Sequence, residues 1–230
     1  MALILQIETA TQTCSVALAE DGKLLQLVEK TERNIHAAVI TLFIEELMLK
    51  AGKKFSDLDA VAVSMGPGSY TGLRIGVSTA KGICYALDIP LIAVNTLEAM
   101  SSGFLNHCFS VNQQTLFCPM IDAKRMEVYC AVFNHQNLSV SATEAKIIED
   151  QAFADLFDQH LIYFFGDGAA KCADILGANL NARVMDDFEN SAAHLTQLAY
   201  DKYLENSFED VAYFEPYYLK DFIVGKKKEA

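Results

Sequence analysis

Two acidic residues stand at corresponding places in the two halves of the chain. Glu8 ends the apolar segment Leu3–Ile7, and Asp122 ends a second apolar segment 114 residues further on. Each acid is followed by a short turn and another strand-like segment. Carboxylates are ligands that the metal ion of a nucleotide prefers. The pattern therefore predicts a cleft in which Glu8 and Asp122 face each other across a nucleotide position.

The two turns lack the residue type that a phosphate-binding turn needs. Phosphate oxygens bind backbone N–H groups at close range, and glycine permits that approach. The turns contain Ala10, Thr11 and Gln12, and Lys124, Arg125 and Met126. We interpret the cleft as a nucleotide-binding architecture that has lost its nucleotide. The residues predicted for this degenerate cleft are Glu8, Thr9, Asp122, Lys124, Arg125, Gly166 and Gly168.

The segment GPGSYTGLRIG, residues 66–76, is the strongest local motif. It is not a P-loop, because no lysine follows a G-x-x-x-x-G pattern. Its glycine spacing does not match a dinucleotide fingerprint, and it has no serine in G-x-S-x-G. We expect Gly66 and Gly68 to form a tight turn. We expect Gly72 and Gly76 to let another helix approach closely.

The other chemistry-bearing residues point away from metal and nucleic-acid binding by this chain alone. The six cysteines include no C-x-x-C pair, and the five histidines include no H-x-x-x-H pair. These spacings are typical of metal sites, so we expect free, buried thiols. The chain has 18 basic and 30 acidic residues, a net charge of -12, which repels phosphate backbones. The tail Lys226–Lys228 is either solvated or in contact with RNA within a complex.

Strand and helix patterns alternate and occur in the same order in both halves. In the first half they predict three strands, a helix (34–50), a strand (58–65), a helix (71–87), a strand (90–94) and a capped helix. The second half repeats the strand–acid–turn–strand and strand–glycine–helix steps. This predicts an α/β protein of two duplicated βββαβα lobes. We expect residues 1–100 to form the first lobe, 101–205 the second, and a segment near 206–230 to rejoin the first.

The helix predicted at 34–50 is apolar around most of its circumference. Such a helix must be buried on two sides by neighbouring structure. One neighbour is the sheet, and the other is either the helix that begins at Thr71 or a second protein. His36 lies at the start of this helix, but its i+4 neighbour is Ile40, so we interpret it as a capping or interface histidine.

Five segments carry a family resemblance: ILQIETATQTCSVAL, VAVSMGPGSYTGLRIGVSTAKGICYAL, IPLIAVNTLEAM, IDAKRMEVYCAVF and EPYYLKDF. Together they resemble the TsaB (YeaZ) family of tRNA threonylcarbamoyladenosine biosynthesis proteins, over nearly the whole chain. The resemblance implies an actin-like ATPase (ribonuclease H-like) fold. It also implies a scaffold and activator subunit that binds the actin-like TsaD subunit and has no catalytic residues or metal ligands of its own.

The resemblance also implies partners and an interface. ATP and metal are expected on partner subunits, namely TsaD and a TsaE-like P-loop ATPase, and tRNA is expected to bind only through the complex. Without TsaD, the chain is expected to form a homodimer through the same surface. The implied contact is a bundle of first-lobe helices. Its predicted residues are Ile35, His36, Val39, Leu42, Phe43, Leu47, Leu73, Arg74, Val77 and Ala80.

Two other classes of function remain open. One is an active nucleotide-dependent enzyme or a peptidase of the same superfamily, although no nucleophile, base and orienting residue show a recognisable spacing. The other is a homodimeric module that binds a small acidic ligand through Lys124 and Arg125. No apolar run reaches the length of a membrane span, and the first residues read as a strand. We therefore expect a cytoplasmic protein with no membrane contact.

Overall fold

The computed structural model describes residues 1–106 and 111–220, which form two lobes. The first lobe contains β1 (Leu3–Glu8), β2 (Thr13–Glu20), β3 (Lys23–Thr31), α1 (His36–Ala51), β4 (Ala60–Gly66), α2 (Tyr70–Leu87), β5 (Leu91–Asn95) and α3 (Thr96–Leu105). The second contains β6 (Thr115–Asp122), β7 (Glu127–Cys130), β8 (Glu144–Ile147), α4 (Ala154–Phe157), β9 (Leu161–Phe165), α5 (Ala173–Leu176), β10 (Ala182–Val184) and α6 (Thr196–Leu204). Short 3-10 turns cover Phe55–Asp57, Ala170–Cys172 and Ala192–Leu195.

The two lobes have the same strand order, which confirms the predicted βββαβα repeat. The first sheet runs β3-β2-β1-β4-β5, and the second runs β8-β7-β6-β9-β10. In each sheet the first three strands are antiparallel, and the last two run parallel to the first strand of the lobe. The parallel strands β1, β4 and β5 of the first lobe are buried along nearly their whole length, as is typical of strands that helices cover on both sides.

Local sequence signals explain where the elements end. Gly52 ends α1 with a φ of 65°, a left-handed conformation that glycine adopts without strain. Asn95 caps α3, and its side-chain oxygen accepts from the backbone N–H groups of Leu97 and Glu98 over 2.9 and 3.2 Å. The cap on α3 agrees with the capped helix that the sequence predicts after the strand at 90–94.

The last helix of each lobe packs against the other lobe. In α3, Phe104 stacks on Phe165 of β9 with ring centroids 4.1 Å apart. In return, Leu195 and Ala199 pack on the first sheet. The chain therefore comes back to the first lobe before α6 begins, rather than at residue 206 as the sequence suggested. The apolar positions of α6 face the first sheet, a direction that periodicity does not reveal.

After α6 the chain runs along the first lobe as a strap, residues 205–220. The backbone N–H of Glu209 donates to the Leu91 carbonyl oxygen over 2.9 Å, and that of Tyr217 donates to Met65 over 2.7 Å. Lys81 of α2 donates to two strap carbonyl oxygens. The tail Lys226–Lys228 lies outside the described residues. None of the described helices combines the length and apolar character that crossing a membrane requires.

Candidate functional site

The turn between β1 and β2 packs against the amino-terminal half of α2. Thr9 in this turn is completely buried. A side chain at Gly72 or Gly76 would collide with Thr9, and one at Gly68 would collide with Ala10. Because glycine has no side chain, the turn can pack directly against the backbone at these positions. The predicted approach of another helix to Gly72 and Gly76 is therefore wrong, because the chain's own hairpin turn takes that place.

This packing uses the backbone groups that a phosphate would need. The Ala10 N–H donates to Oε1 of Glu8 over 2.5 Å. The Ala10 carbonyl oxygen accepts from the Ser69 N–H over 2.7 Å. A phosphate-binding turn instead presents free N–H groups to its ligand. The Ala10 N–H is therefore already used within the chain and is not free to bind a phosphate.

Glu8 lies at the carboxyl end of β1 and is completely buried. Burial raises the pKa of Glu8 from 4.5 to about 7, while contacts with the Ala10 amide and the side chains of Ser64 and Asn190 oppose the rise. Ser64 is the residue after Val63, which pairs with Ile7 in the parallel β1–β4 ladder, so it lies next to Glu8 on the neighbouring strand. Asn190 comes just before the 3-10 turn Ala192–Leu195, where the chain returns to the first lobe. Glu8 is thus a buried acid at the seam between the first sheet and the returning chain.

The second turn, between β6 and β7, lies on the surface and is rich in charge. Asp122 accepts from the backbone N–H of Lys124 over 2.8 Å and forms an ion pair with Lys171. Lys171 also donates to the Glu127 carbonyl oxygen over 2.7 Å. The Asp122 N–H donates to Asp167 over 3.0 Å, and burial raises the pKa of Asp167. These contacts fix the backbone of the turn.

The predicted cleft glycines of the second lobe pack against β6 and α3. A side chain at Gly166 would collide with the carbonyl oxygen of Met120 and the side chain of Met100. One at Gly168 would collide with the backbone of Ile121. Gly166 has a φ of 96°, so it turns the chain out of β9 where other residues would be strained.

The structure gives the two predicted cleft acids separate surroundings. Glu8 is buried, whereas the side chain of Asp122 is 48% exposed. No hydrogen bond or ion pair joins Glu8 to Asp122 within the described residues. Nor does any group of three or more His, Cys, Asp or Glu side chains in residues 1–106 and 111–220 form a set of metal ligands.

The predicted partner interface divides between core and surface. Four of its residues lie in the apolar interior, with exposures of 0–3%: Leu47, Leu73, Val77 and Ala80. These residues lie on the inner sides of α1 and α2, where a partner cannot reach them. The predicted interface is therefore wrong for these four residues. His36 is also buried, and its Nε2 lies 3.3 Å from the Thr13 carbonyl oxygen. Three more are only partly exposed at the edge of the core, namely Ile35, Val39 and Phe43.

Two predicted interface residues are exposed, and they lie in a larger surface. Leu42 is 59% exposed, and the Arg74 guanidinium lies 5.0 Å from the Tyr70 ring centre. The sequence analysis missed Leu49 and Tyr85, which are 82% and 85% exposed. Leu49 lies two turns after Leu42, so helical spacing could have found it.

The exposed side chains of α1 and α2 include both large apolar and small residues, with Glu45 and Glu46 between Leu42 and Leu49 on α1. We call the exposed set Ala38, Leu42, Leu49, Arg74, Ser78, Gly82 and Tyr85 the α1–α2 surface. Nothing lies within 4 Å of the position that a Gly82 side chain would occupy. Exposed large apolar side chains on two neighbouring helices, with small residues beside them on α2, suit the packing of another helix.

Comparisons with known proteins place these features in a family. The family model for TsaD, described as tRNA N6-adenosine threonylcarbamoyltransferase, matches residues 29–222. The chain is 30% identical to the tRNA threonylcarbamoyladenosine biosynthesis protein TsaB of Escherichia coli, covering 97% of each protein. It is 28% identical to TsaB of Haemophilus influenzae, covering 97% of this chain and 96% of that one.

A solved structure supports the fold. YeaZ from Pseudomonas aeruginosa superimposes with a TM-score of 0.81 at 24% identity, covering 95% of this chain and 100% of that one. The likeness extends over both lobes, which supports the two-lobed α/β fold that the sequence predicts. The chain therefore belongs to the TsaB family of tRNA threonylcarbamoyladenosine biosynthesis proteins, which shares its family model with the tRNA N6-adenosine threonylcarbamoyltransferases.

Proposed function

We propose that this chain is a non-catalytic scaffold and activator subunit in the formation of threonylcarbamoyladenosine in tRNA. It binds a TsaD-like tRNA N6-adenosine threonylcarbamoyltransferase and holds that enzyme in its active form. The observation that carries the proposal is the α1–α2 surface, because it exposes large apolar side chains on two adjacent helices of an otherwise acidic protein.

The first lobe supports a role without nucleotide chemistry. Thr9 and Ala10 occupy the surface of α2 where glycines allow close approach. Glu8 is buried and hydrogen-bonded to the turn. A group that holds a metal–nucleotide complex must be ionised and reachable. ATP and metal therefore belong, in this proposal, to the partner subunits.

The kinship between TsaB and TsaD supports the mode of binding. Because the same family model describes the enzyme and matches this chain, the partner is expected to present a related pair of helices. Two helix pairs would then pack in a pseudo-symmetric bundle. The same geometry allows two copies of this chain to pair through the α1–α2 surface when the transferase is absent.

The rest of the assembly follows from the same proposal. A TsaE-like P-loop ATPase completes it, and tRNA reaches this chain only through the complex. The compartment is the cytoplasm, where tRNA is modified. The chain contributes surface and position, while the transferase contributes the reacting groups.

A pair of charge substitutions tests the proposal. Leu42→Glu with Leu49→Glu puts two carboxylates into the α1–α2 surface. An unpaired charge buried in an interface costs roughly 2 kcal/mol or more, so binding to the transferase should weaken at least about thirtyfold. Size-exclusion chromatography with light scattering measures complex formation, and modification of an unmodified tRNA transcript by the reconstituted complex measures function.

The matched control is Leu138→Glu with Leu180→Glu in the second lobe. These leucines are 59% and 91% exposed, close to the exposures of the tested pair, so both variants change charge equally. The control should bind the transferase and support modification as the wild-type chain does. Full modification with the Leu42 and Leu49 variant, or equal loss with the control, would show that the α1–α2 surface is not the contact.

A further inference from the structure

The second turn carries cations that the described structure leaves unpaired. Lys124 and Arg125 are exposed, and no ion pair or side-chain hydrogen bond of either is found within residues 1–106 and 111–220. The neighbouring acids are already neutralised: Asp122 pairs with Lys171, and Glu127 pairs with Lys220. With those pairs formed, Lys124 and Arg125 leave two unpaired positive charges in the turn, with Asp167 nearby, on a chain whose net charge is -12.

The backbone of this turn is unfavourable for the residues it contains. Lys124 and Arg125 have φ values of 73° and 54°, a conformation that L-residues other than Asn and Asp rarely adopt. Eight non-glycine residues of the described chain have positive φ, and five of them are Asn or Asp. Lys124 and Arg125 are the only adjacent pair among the eight. Asn and Gly adopt positive φ at lower cost, so the chain has two cations where these uncharged residues would be less strained.

The second turn also lies next to the crossing between the lobes. The strap is bound to the first lobe at Tyr217, whose N–H donates to Met65 at the end of β4. Three residues later Lys220 reaches Glu127 of the second lobe. The strap thus passes from the first lobe to the second turn, where Lys220 neutralises Glu127.

We propose that the second turn, through Lys124 and Arg125 with Lys171 and Lys220 beside them, binds the phosphate backbone of the tRNA held by the assembly. The proposal rests on the proposed function, which brings tRNA to the complex. Phosphate is the chemistry that matches two unpaired cations in a fixed turn. Because the rest of the surface is acidic and repels RNA, this contact orients the tRNA instead of providing most of its affinity.

Replacing the turn by its unstrained form separates an RNA contact from a structural role. In the variant Lys124→Asn with Arg125→Gly, the backbone strain is relieved and two charges are lost. Relief of strain should raise the melting temperature by about 2–4 °C. Loss of two phosphate contacts should weaken tRNA binding and lower the slope of log affinity against log salt by about 1.4–1.8.

The experiment uses the complex of the full chain with its transferase and an unmodified tRNA transcript, with fluorescence anisotropy over a series of KCl concentrations. The charge-matched control is Lys23→Gln with Lys54→Gln. Both lysines are exposed. Lys23 is the first residue of β3, and Lys54 precedes the 3-10 turn before β4, so both belong to the first lobe and not to the second turn. The control should keep the wild-type slope.

Three results would overturn the proposal, and each would have a different interpretation. A turn variant with the wild-type salt slope would show that the turn does not contact RNA. A turn variant that no longer binds the transferase would show that the cations contact protein. If the wild-type complex itself binds no tRNA, the proposed function fails as well, and the wild-type measurement alone reveals it.

Discussion

Replacing Glu8 by glutamine tests whether one buried carboxyl group limits stability at neutral pH. The Glu8 side chain has no exposure, and the Ala10 N–H that it accepts through Oε1 can donate equally to the amide oxygen of glutamine. The substitution therefore keeps the shape and the hydrogen bond while it removes the ionisable group. Its effect on the free energy of unfolding should depend on pH.

The sign follows from the raised pKa of Glu8. Below pH 4.5 the carboxyl group is protonated in the folded and unfolded chain alike, so its contribution to stability is fully present. As the pH rises towards 7, the unfolded chain releases the proton and the folded chain keeps it, so the free energy of unfolding falls. Above about pH 7 the whole loss applies. A pKa rise from 4.5 to about 7 corresponds to about 3 kcal/mol.

Chemical denaturation of Glu8→Gln and wild type, followed by circular dichroism, measures this loss. The useful range is about pH 5.5 to about pH 8, above the isoelectric point near 4.8 where solubility is lowest. In that range the stability of the variant relative to wild type should rise by about 2 kcal/mol. Glu205→Gln, at an exposed position, is the control. A Glu8→Gln difference that is the same at both pH values would refute the reasoning.

Two further predictions concern packing and capping. Gly76→Ala should destabilise the fold by about 1–3 kcal/mol, because its methyl group would collide with buried Thr9. Gly82→Ala, in the same helix but with open space around it, should stabilise by about 0.5–1 kcal/mol. Equal effects of the two substitutions would contradict the packing of the first turn. Asn95→Ala removes the cap of two N–H groups of α3 and should cost about 1 kcal/mol in urea denaturation; an unchanged midpoint would contradict it.

Sequence patterns predicted the elements well but not the directions in which they face. The three opening strands, the cap at Asn95 and the βββαβα repeat all depend on local chemistry or on strand periodicity, and the structure has them. The neighbour of Gly72 and Gly76 depends on which distant segment comes close. A glycine pattern shows that something must approach, but it does not say whether that is a helix or the turn at Thr9.

The interface shows the same limit within single helices. Because α1 is apolar on nearly all sides, periodicity could not separate core from surface, and Leu47 was assigned to the surface although it is completely buried. The exposure of Tyr85 depends on where the sheet and the neighbouring helix lie, which the sequence of α2 alone does not show. The return of the chain at Ala192 was also hidden, since the hydrogen bond from its N–H to Ser15 joins residues 177 positions apart.

At the carboxyl ends of β4 and β9 the chain packs closely against itself. In open α/β sheets this is where ligands bind. At the end of β4, a side chain on Gly66 would collide with the carbonyl oxygen of Tyr217 in the strap, and at the end of β9 one on Gly166 would collide with Met100 of α3. In both lobes, then, a glycine at the end of a parallel strand lies against another segment of the chain. The two proposed contact regions lie on the outside of the chain, and the α1–α2 surface and the second turn differ in chemistry as a protein partner and an RNA backbone do.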